Sequence, residues 1–189
     1  MALMDFFNDK DGKREVVHGS DGRANVSSRS DSRGYYNSRD VKKSHSLVFD
    51  DAAASAGDDV VVLFNHDVTD KMVIRSVGVN ALAVAGFKLK TVTGTAGGGA
   101  VAATPVNLHI GEADAVVTAS TVANSDSSPI TGIADDLTID HVSVVVSGHE
   151  EFRLDDQLRL AKGQGIAIEK DSGASTRVFG VIFFYFETD

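Results

Sequence analysis

The stretch Val178-Phe179-Gly180-Val181-Ile182-Phe183-Phe184-Tyr185-Phe186 carries apolar side chains on both of its alternating faces. A strand of this kind is either central in a sandwich or pressed against a second subunit. Because only one face of an antiparallel sandwich strand points into the core, we expect the other face to form a subunit contact. The residues of that contact would be Phe179, Val181, Phe183 and Tyr185. The alternative is a last strand covered by loops of the same chain.

Upstream of this stretch, short apolar runs alternate with turn residues back to residue 46, and no run shows a helical stripe. Spacing of this kind is typical of an all-β sandwich or barrel. We therefore predict a β body over residues 46–189. The predicted strands are 46–49, 60–65, 72–79, 87–93, 106–110, 116–122, 137–146, 152–159, 165–169 and 177–187.

Charge divides the 189-residue chain into two parts. Residues 1–46 hold nine basic and seven acidic side chains, whereas the remaining 143 hold 9 basic and 20 acidic ones. The net charge of −9 therefore comes entirely from the β body. Neutralising phosphates needs a basic face, so this body is a poor candidate for binding nucleic acid.

Residues 1–45 are mostly Ser, Asp, Gly, Asn and Arg, with neither a helical nor a strand period. We expect an extended, mostly irregular N-terminal arm, because this composition cannot bury enough surface to offset the entropy of ordering. The arm is either a disordered tail or a segment that becomes ordered against a partner; binding to nucleic acid is the weakest reading, given its seven acids. In the partner-bound case, aromatic anchors and arginine forks would make the contacts. These residues are Phe6, Phe7, Arg23, Arg29, Arg33, Tyr35 and Tyr36.

Several features that could suggest chemistry have simpler interpretations. The run 93–100 is rich in glycine but has no following helix or Lys-Ser/Thr pair, so it indicates a flexible hairpin tip rather than a phosphate loop. Five acidic pairs could offer oxygen ligands to Ca²⁺, but none fits a calcium-loop pattern, and solvated loops explain them as well. The six histidines show no metal-binding spacing, and His109 and His141 are expected to be interior or interface groups. No Gly-x-Ser-x-Gly elbow occurs.

We accordingly expect no catalytic residues, no enzyme activity, no cofactor and no metal site. The chain has no cysteine, which excludes disulfides and thiolate chemistry. No apolar stretch is long enough for a transmembrane helix, and the first twenty residues do not form a secretory signal. These features favour a soluble protein with no membrane partner.

Several short motifs together resemble a known class of protein. The arm contains Ser20-Asp21-Gly22-Arg23-Ala24-Asn25-Val26-Ser27-Ser28-Arg29, and the body contains Gly86-Phe87-Lys88-Leu89. Later come Thr104-Pro105-Val106-Asn107-Leu108 and Lys162-Gly163-Gln164-Gly165-Ile166-Ala167-Ile168 before the aromatic last strand. This layout resembles small virion proteins of tailed bacteriophages, in particular the jelly-roll decoration or cement proteins of capsids.

The resemblance implies a jelly-roll-like antiparallel β-sandwich, a homotrimer, and an arm that binds the major capsid protein or another virion protein. It further implies a location on the capsid surface of the virion, after assembly in the host bacterial cytoplasm. The alternative is a receptor- or glycan-binding β module associated with a tail or fibre. In that case exposed loops, rather than the arm, would carry the function.

Overall fold

The computed structural model describes residues 6–8, 13–15, 43–109, 111, 117–121 and 130–188. The chain divides into two compact units, Met1–Ser32 and Arg33–Asp189. In the first unit, β1 (Phe6–Asn8) pairs with β2 (Lys13–Glu15) in an antiparallel hairpin. In the second unit the first described residue is Lys43.

The second unit is an antiparallel β-sandwich, as the sequence predicts. One sheet has the strand order β10-β6-β12-β4-β9-β7, and the other has the order β11-β5-β13-β3-β8. The strands of the five-stranded sheet are β3 (Ser44–Ala54), β5 (Asp70–Ala81), β8 (Val106–Asn107), β11 (Gly148–Leu160) and β13 (Thr176–Thr188). Those of the six-stranded sheet are β4 (Asp59–Asn65), β6 (Ala85–Gly94), β7 (Val101–Ala103), β9 (Val117–Thr121), β10 (Ile133–Val144) and β12 (Gln164–Ser172).

The eight long strands follow a jelly-roll order. In chain order they are β3, β4, β5, β6, β10, β11, β12 and β13, and they can be numbered one to eight in that order. The five-stranded sheet then contains the long strands in the order 6-3-8-1, and the six-stranded sheet contains them in the order 5-4-7-2. Among these eight strands, each step from β3 to β6 and each step from β10 to β13 leads to the opposite sheet, whereas β6 and β10 lie side by side in one sheet. This doubled Greek key is the jelly roll. The short strands β7, β8 and β9 lie in the connection from β6 to β10.

Alternation along the strands fills the space between the two sheets. In β3, Leu47 and Phe49 are buried whereas Val48 is exposed, which is the period of two that a half-buried strand requires. In β13, Ile182 and Phe184 point inward in the same way. Both pairs belong to one core cluster with residues of β4, β5, β6, β11 and β12.

Strand β4 differs because all seven of its residues are buried. Its Val62 and Phe64 belong to a second apolar cluster, with Val92, Ile130 and Ala167, and Ala96 and Ala100 pack against that cluster. The connection after β6 therefore lies over the outer face of the six-stranded sheet and buries part of it.

That connection is the glycine-rich run 93–100, and it is not a hairpin tip, since β6 and β7 pair with different strands. The amide of Gly97 donates to the carbonyl of Thr131 at 2.7 Å, and the amide of Thr131 donates to that of Gly98 at 3.0 Å. A Cβ at Gly94, whose φ is +105°, would lie 2.4 Å from the carbonyl oxygen of Gly132. Glycine is needed there because the two backbone segments approach so closely.

The rest of the outer face of the six-stranded sheet carries a buried lysine. The Nζ of Lys90 lies 2.7 Å from Glu169, 2.9 Å from Asp135 and 3.0 Å from Asp59. Burial alone would lower the pKa of Lys90, but hydrogen bonds to these three carboxylates outweigh it and hold the pKa above its ordinary value. Burial also raises the pKa of Asp59, against the opposing effect of Lys90.

Replacing Lys90→Met tests this cluster, because it leaves three carboxylates together without their cation. We expect the free energy of unfolding at pH 7 to fall by about 3 kcal/mol, as for a broken buried ion pair. The deficit in free energy should shrink toward pH 4, because Asp59, whose pKa burial already raises, then binds a proton in the folded state once its cation is gone. Urea unfolding at several pH values measures both effects.

The matched control is Lys88→Met on the same strand and face. The Lys88 ammonium pairs with Glu169 and Asp171, and its side chain is 34% exposed. Solvent screens these ion pairs, so Lys88→Met should lower the free energy of unfolding much less than Lys90→Met does. That decrease should be nearly independent of pH over the same range. Equal losses in the two variants would contradict a special role for Lys90.

Candidate interaction surface

The predicted arm residues fall largely outside the described residues. Arg23, Arg29, Arg33, Tyr35 and Tyr36 are all outside them. Phe6 and Phe7 lie in β1, paired through the backbone with Glu15 and Arg14, and only their backbone is described. The partner-binding role of these residues stays a prediction.

The predicted subunit contact lies on β13, the central strand of the five-stranded sheet. Phe179 and Phe183 point away from the core and are 36% and 37% exposed. Val181 lies between them on the same outer face and is half-buried. Tyr185 continues this series but is only 1% exposed, so it presents little surface.

Neighbouring strands extend this surface. In the β-sheet register Val181 is opposite Val48 of β3, which is 68% exposed. Phe183 is opposite Ser46, which in turn is opposite Val106 of β8, 58% exposed. We call this set the apolar patch; its members are Val48, Val106, Phe179, Val181 and Phe183.

Small residues explain why the patch remains exposed. On the β5 side, Val181 is opposite Gly78 and Phe183 is opposite Ser76. Neither residue can cover an adjacent aromatic ring. The ring of His149 lies over Gly78, with its Cε1 only 2.9 Å from the place of a Cβ, so a larger residue at position 78 would displace it.

The patch ends at a polar rim. The guanidinium of Arg177 donates from Nε to Oδ1 of Asp50 at 2.9 Å, and from its second nitrogen to Oδ2 at 2.5 Å. The hydrogen bond from Arg177 lowers the pKa of Asp50 below its ordinary value. The same guanidinium lies 5.6 Å from the centre of the Phe179 ring, which fixes the side chain at the patch border.

The sequence identified the β13 members of this surface but not Val48 and Val106. The sequence does contain a signal for Val48. In the run Leu47-Val48-Phe49 the side chains alternate, so Val48 points to the face of the strand opposite that of its two large apolar neighbours. Val106 had none, because its exposure depends on β8 joining the edge of β3 through only two residue pairs. Tertiary pairing, rather than local pattern, completes the patch.

The histidines and acidic residues that could suggest chemistry lie outside the apolar patch. His141 is on the edge strand β10, with Nε2 3.3 Å from Asp171, and His109 follows β8. Among the described residues no three His, Asp or Glu side chains are grouped in a way that could hold a metal ion. The described ranges also contain no helix of the length and apolar character needed to cross a membrane.

Comparison with known proteins adds no relative. No protein-family model, no curated protein and no solved structure matches the chain. The apolar patch therefore has to be interpreted from its own chemistry.

Adjacent phenylalanines on β13 offer a direct test of which face is the core. Phe184→Ser should lower the free energy of unfolding by about 4 kcal/mol, because Phe184 is 2% exposed and packs in the main core. Phe183→Ser should lower it by only about 1 kcal/mol, since much of that ring is already in water. Urea unfolding of the two variants, monitored by circular dichroism, makes the comparison. A loss for Phe183→Ser as large as for Phe184→Ser would show that the faces are assigned wrongly.

Proposed function

We propose that this chain is a structural virion protein of a tailed bacteriophage, a capsid cement or decoration protein. It associates with itself through the apolar patch, as a homotrimer, and binds the major capsid protein through its N-terminal arm. It works on the capsid surface after assembly in the bacterial cytoplasm. The role is structural and uses no cofactor, nucleic acid or membrane.

The observation that carries the proposal is the apolar patch on the five-stranded sheet. Contiguous exposed apolar surface on a soluble chain marks an interaction site, whereas single exposed apolar side chains are ordinary. Here two phenylalanines and three valines from three strands lie on one face of the sheet, with Val181 directly opposite Val48 and with Ser46 between Phe183 and Val106. Aromatic residues at the centre and an ion pair at the rim are the usual anatomy of a protein–protein interface.

Two further considerations support the capsid role. Jelly rolls occur both in viral capsid proteins and in lectins, so the fold is compatible with a capsid cement protein but does not identify one by itself. The sequence motifs favour the first of these two classes. The apolar patch, moreover, lies on the strands of a sheet, which suits contact with another protein surface.

The mechanism we propose is adhesion. Phe6, Phe7, Tyr35 and Tyr36 insert into grooves between capsid subunits, while Arg23, Arg29 and Arg33 form hydrogen bonds at the rims of those grooves. A protein that binds only the assembled shell stabilises that shell by mass action. Self-association multiplies the number of arms on each particle site, which increases the avidity.

Self-association can be tested on the purified protein. The double variant Phe179→Ser, Phe183→Ser should shift the sedimentation from trimer toward monomer, because it removes both rings from the interface. The control is Leu137→Ser on edge strand β10, where an apolar side chain 66% exposed lies outside the patch. A wild-type chain that sediments as a monomer at micromolar concentration would contradict the interface.

Capsid binding is tested with a chain that lacks residues 1–42. The deletion ends there because His45 packs inside the body, with its ring 5.5 Å from that of Phe184. The truncated protein should fold but no longer join virions, and the particles should break at lower temperature while still adsorbing to host cells. Loss of adsorption with normal heat resistance would instead support the receptor-binding alternative.

A finer test compares aromatic and charged arm residues. Changing Tyr35 and Tyr36 to alanine together should weaken capsid binding roughly a thousandfold, at about 2 kcal/mol for each buried anchor. Arg29→Gln with Arg33→Gln should cost less and mainly reduce the salt dependence of binding. Equal binding by the tyrosine variant and the wild type would remove the arm anchors from the mechanism.

A further inference from the structure

A groove runs along one side of the sandwich, between two strands that follow each other in the chain. Strand β10 is the edge of the six-stranded sheet, and β11 is the edge of the five-stranded sheet. Between them lies a cavity of about 240 Å³, lined by the apolar side chains of Ile139, Leu154 and Leu158. Arg153, Asp155 and Gln157 complete its walls. We call this cavity the edge groove.

An irregularity in β11 opens the groove. Arg153 is opposite Ser76 and Leu158 is opposite Ile74, so four residues of β11 correspond to the single residue Arg75 of β5. Within this bulge Asp155 and Asp156 have φ values of +45° and +61°. Two successive non-glycine residues in the left-handed region are uncommon, and such backbone clusters at binding sites.

The borders of the groove are acidic and partly apolar. Asp155 lines the groove, and Asp136, Asp140 and Asp156 lie within three residues of other lining residues along β10 and β11. None of these four carboxylates forms an ion pair with any described side chain. Arg153, the one cation of the lining, pairs with Glu151 at 3.1 Å. Ile139 remains 38% exposed at the mouth. An apolar cavity with an acidic border fits a segment that carries a large apolar side chain between cations.

The chain contains such a segment just before the body. Residues 33–42 read Arg33-Gly34-Tyr35-Tyr36-Asn37-Ser38-Arg39-Asp40-Val41-Lys42, with three cations, one acid and two tyrosines. The groove volume of about 240 Å³ is below the roughly 300–1,000 Å³ of small-molecule pockets, so it suits a single large side chain better than an organic ligand. We propose that the edge groove binds residues 33–42 of the same chain, with a tyrosine ring in the cavity and the cations at the acidic border.

The connection is short enough for this intramolecular binding. In register, Ser44 is opposite Tyr185, Tyr185 is opposite Val73, and Val73 is opposite Arg159 of β11. Three strand spacings separate Ser44 from Arg159, about 14 Å. The seven residue-to-residue steps from Tyr36 to Lys43 can span about 23 Å when extended. Because the segment is tethered, its effective concentration at the groove is high.

This binding goes beyond the proposed function, since it concerns the free protein and holds whether or not a capsid is the partner. If the capsid role is also correct, the shell competes with the groove for Tyr35 and Tyr36. The arm anchors are then covered on the free protein and released only where a better site is present.

The tyrosine content makes the test clean. The chain has three tyrosines, two in the segment and the buried Tyr185 on β13, and no cysteine. Incorporation of 3-fluorotyrosine gives three ¹⁹F NMR signals, and a single cysteine carries a spin label. A label at Thr138→Cys on β10 should broaden the Tyr35 and Tyr36 signals. The same label at Ala102→Cys, on the opposite edge of the six-stranded sheet, should leave them sharp.

Variants of the groove identify the contacts. Ile139→Glu should lower the ratio of bound to free segment roughly tenfold, moving the Tyr35 and Tyr36 signals toward those of a synthetic 33–42 peptide. Asp155→Asn with Asp156→Asn should do the same by removing charge, because asparagine tolerates the left-handed backbone. The control Val84→Glu adds a charge at an exposed site 59% accessible and outside the groove, and should change nothing. An unchanged Tyr185 signal shows that each variant is folded.

Three results would overturn the proposal. Wild-type Tyr35 and Tyr36 signals identical to those of the peptide would show that the segment is not bound. Signals that move with Val84→Glu as much as with Ile139→Glu would place the binding elsewhere. Broadening that appears only when spin-labelled and fluorinated chains are mixed would show binding between copies. Each measurement uses the protein alone, so its outcome is separate from that of capsid binding.

Discussion

The packing of β13 between β3 and β5 is the constraint on which the rest of the sandwich depends. This strand is opposite β3 from Thr176 to Tyr185 and opposite β5 from Val178 to Thr188, so it pairs along both edges over most of its length. At its centre Gly180 has no side chain, and a Cβ there would lie 2.6 Å from the ring of Phe49. That ring fills the place a side chain would take. The last strand thereby joins the first long strand to the third and closes the jelly roll.

The sequence predicts the position of β13 well, because the apolar run that forms the strand can be recognised without knowing its neighbours. The run 177–187 was predicted as a strand, and β13 spans Thr176–Thr188. At β10 the predicted bounds 137–146 are wrong at both ends. Val145 and Val146 are apolar, but they lie in the turn after the strand and are 67% and 63% exposed. The observed strand begins at Ile133, in polar sequence that β6 holds in register. Edge strands such as β10 bury little, so hydrophobic pattern gives their position poorly.

The buried charges could not be predicted for a related reason. Lys170 and Lys90 are like other lysines in sequence, but the first is fully buried, with its amine donating to the carbonyl of Gly173 at 2.9 Å. Burial lowers the pKa of Lys170, and Asp58 offsets part of that effect. The amine of Lys170 bonds to a residue only three positions away, but Asp135 and Glu169, the partners of Lys90, lie far from it in the sequence. Only the assembled fold brings them together.

The distribution of charge explains how a chain of net charge −9 could associate through the apolar patch. Like charges brought together would oppose assembly. At the patch rim, however, Asp50 is neutralised by Arg177, and on the same face Glu151 pairs with Arg153. Four carboxylates that form no ion pair with a described cation, Asp136, Asp140, Asp155 and Asp156, lie instead along β10 and in the bulge of β11, at the edge of the sheet. The self-association that we propose through the outer face of β13 would therefore join apolar surfaces whose rim charges are paired, and it would leave these four acids in solvent.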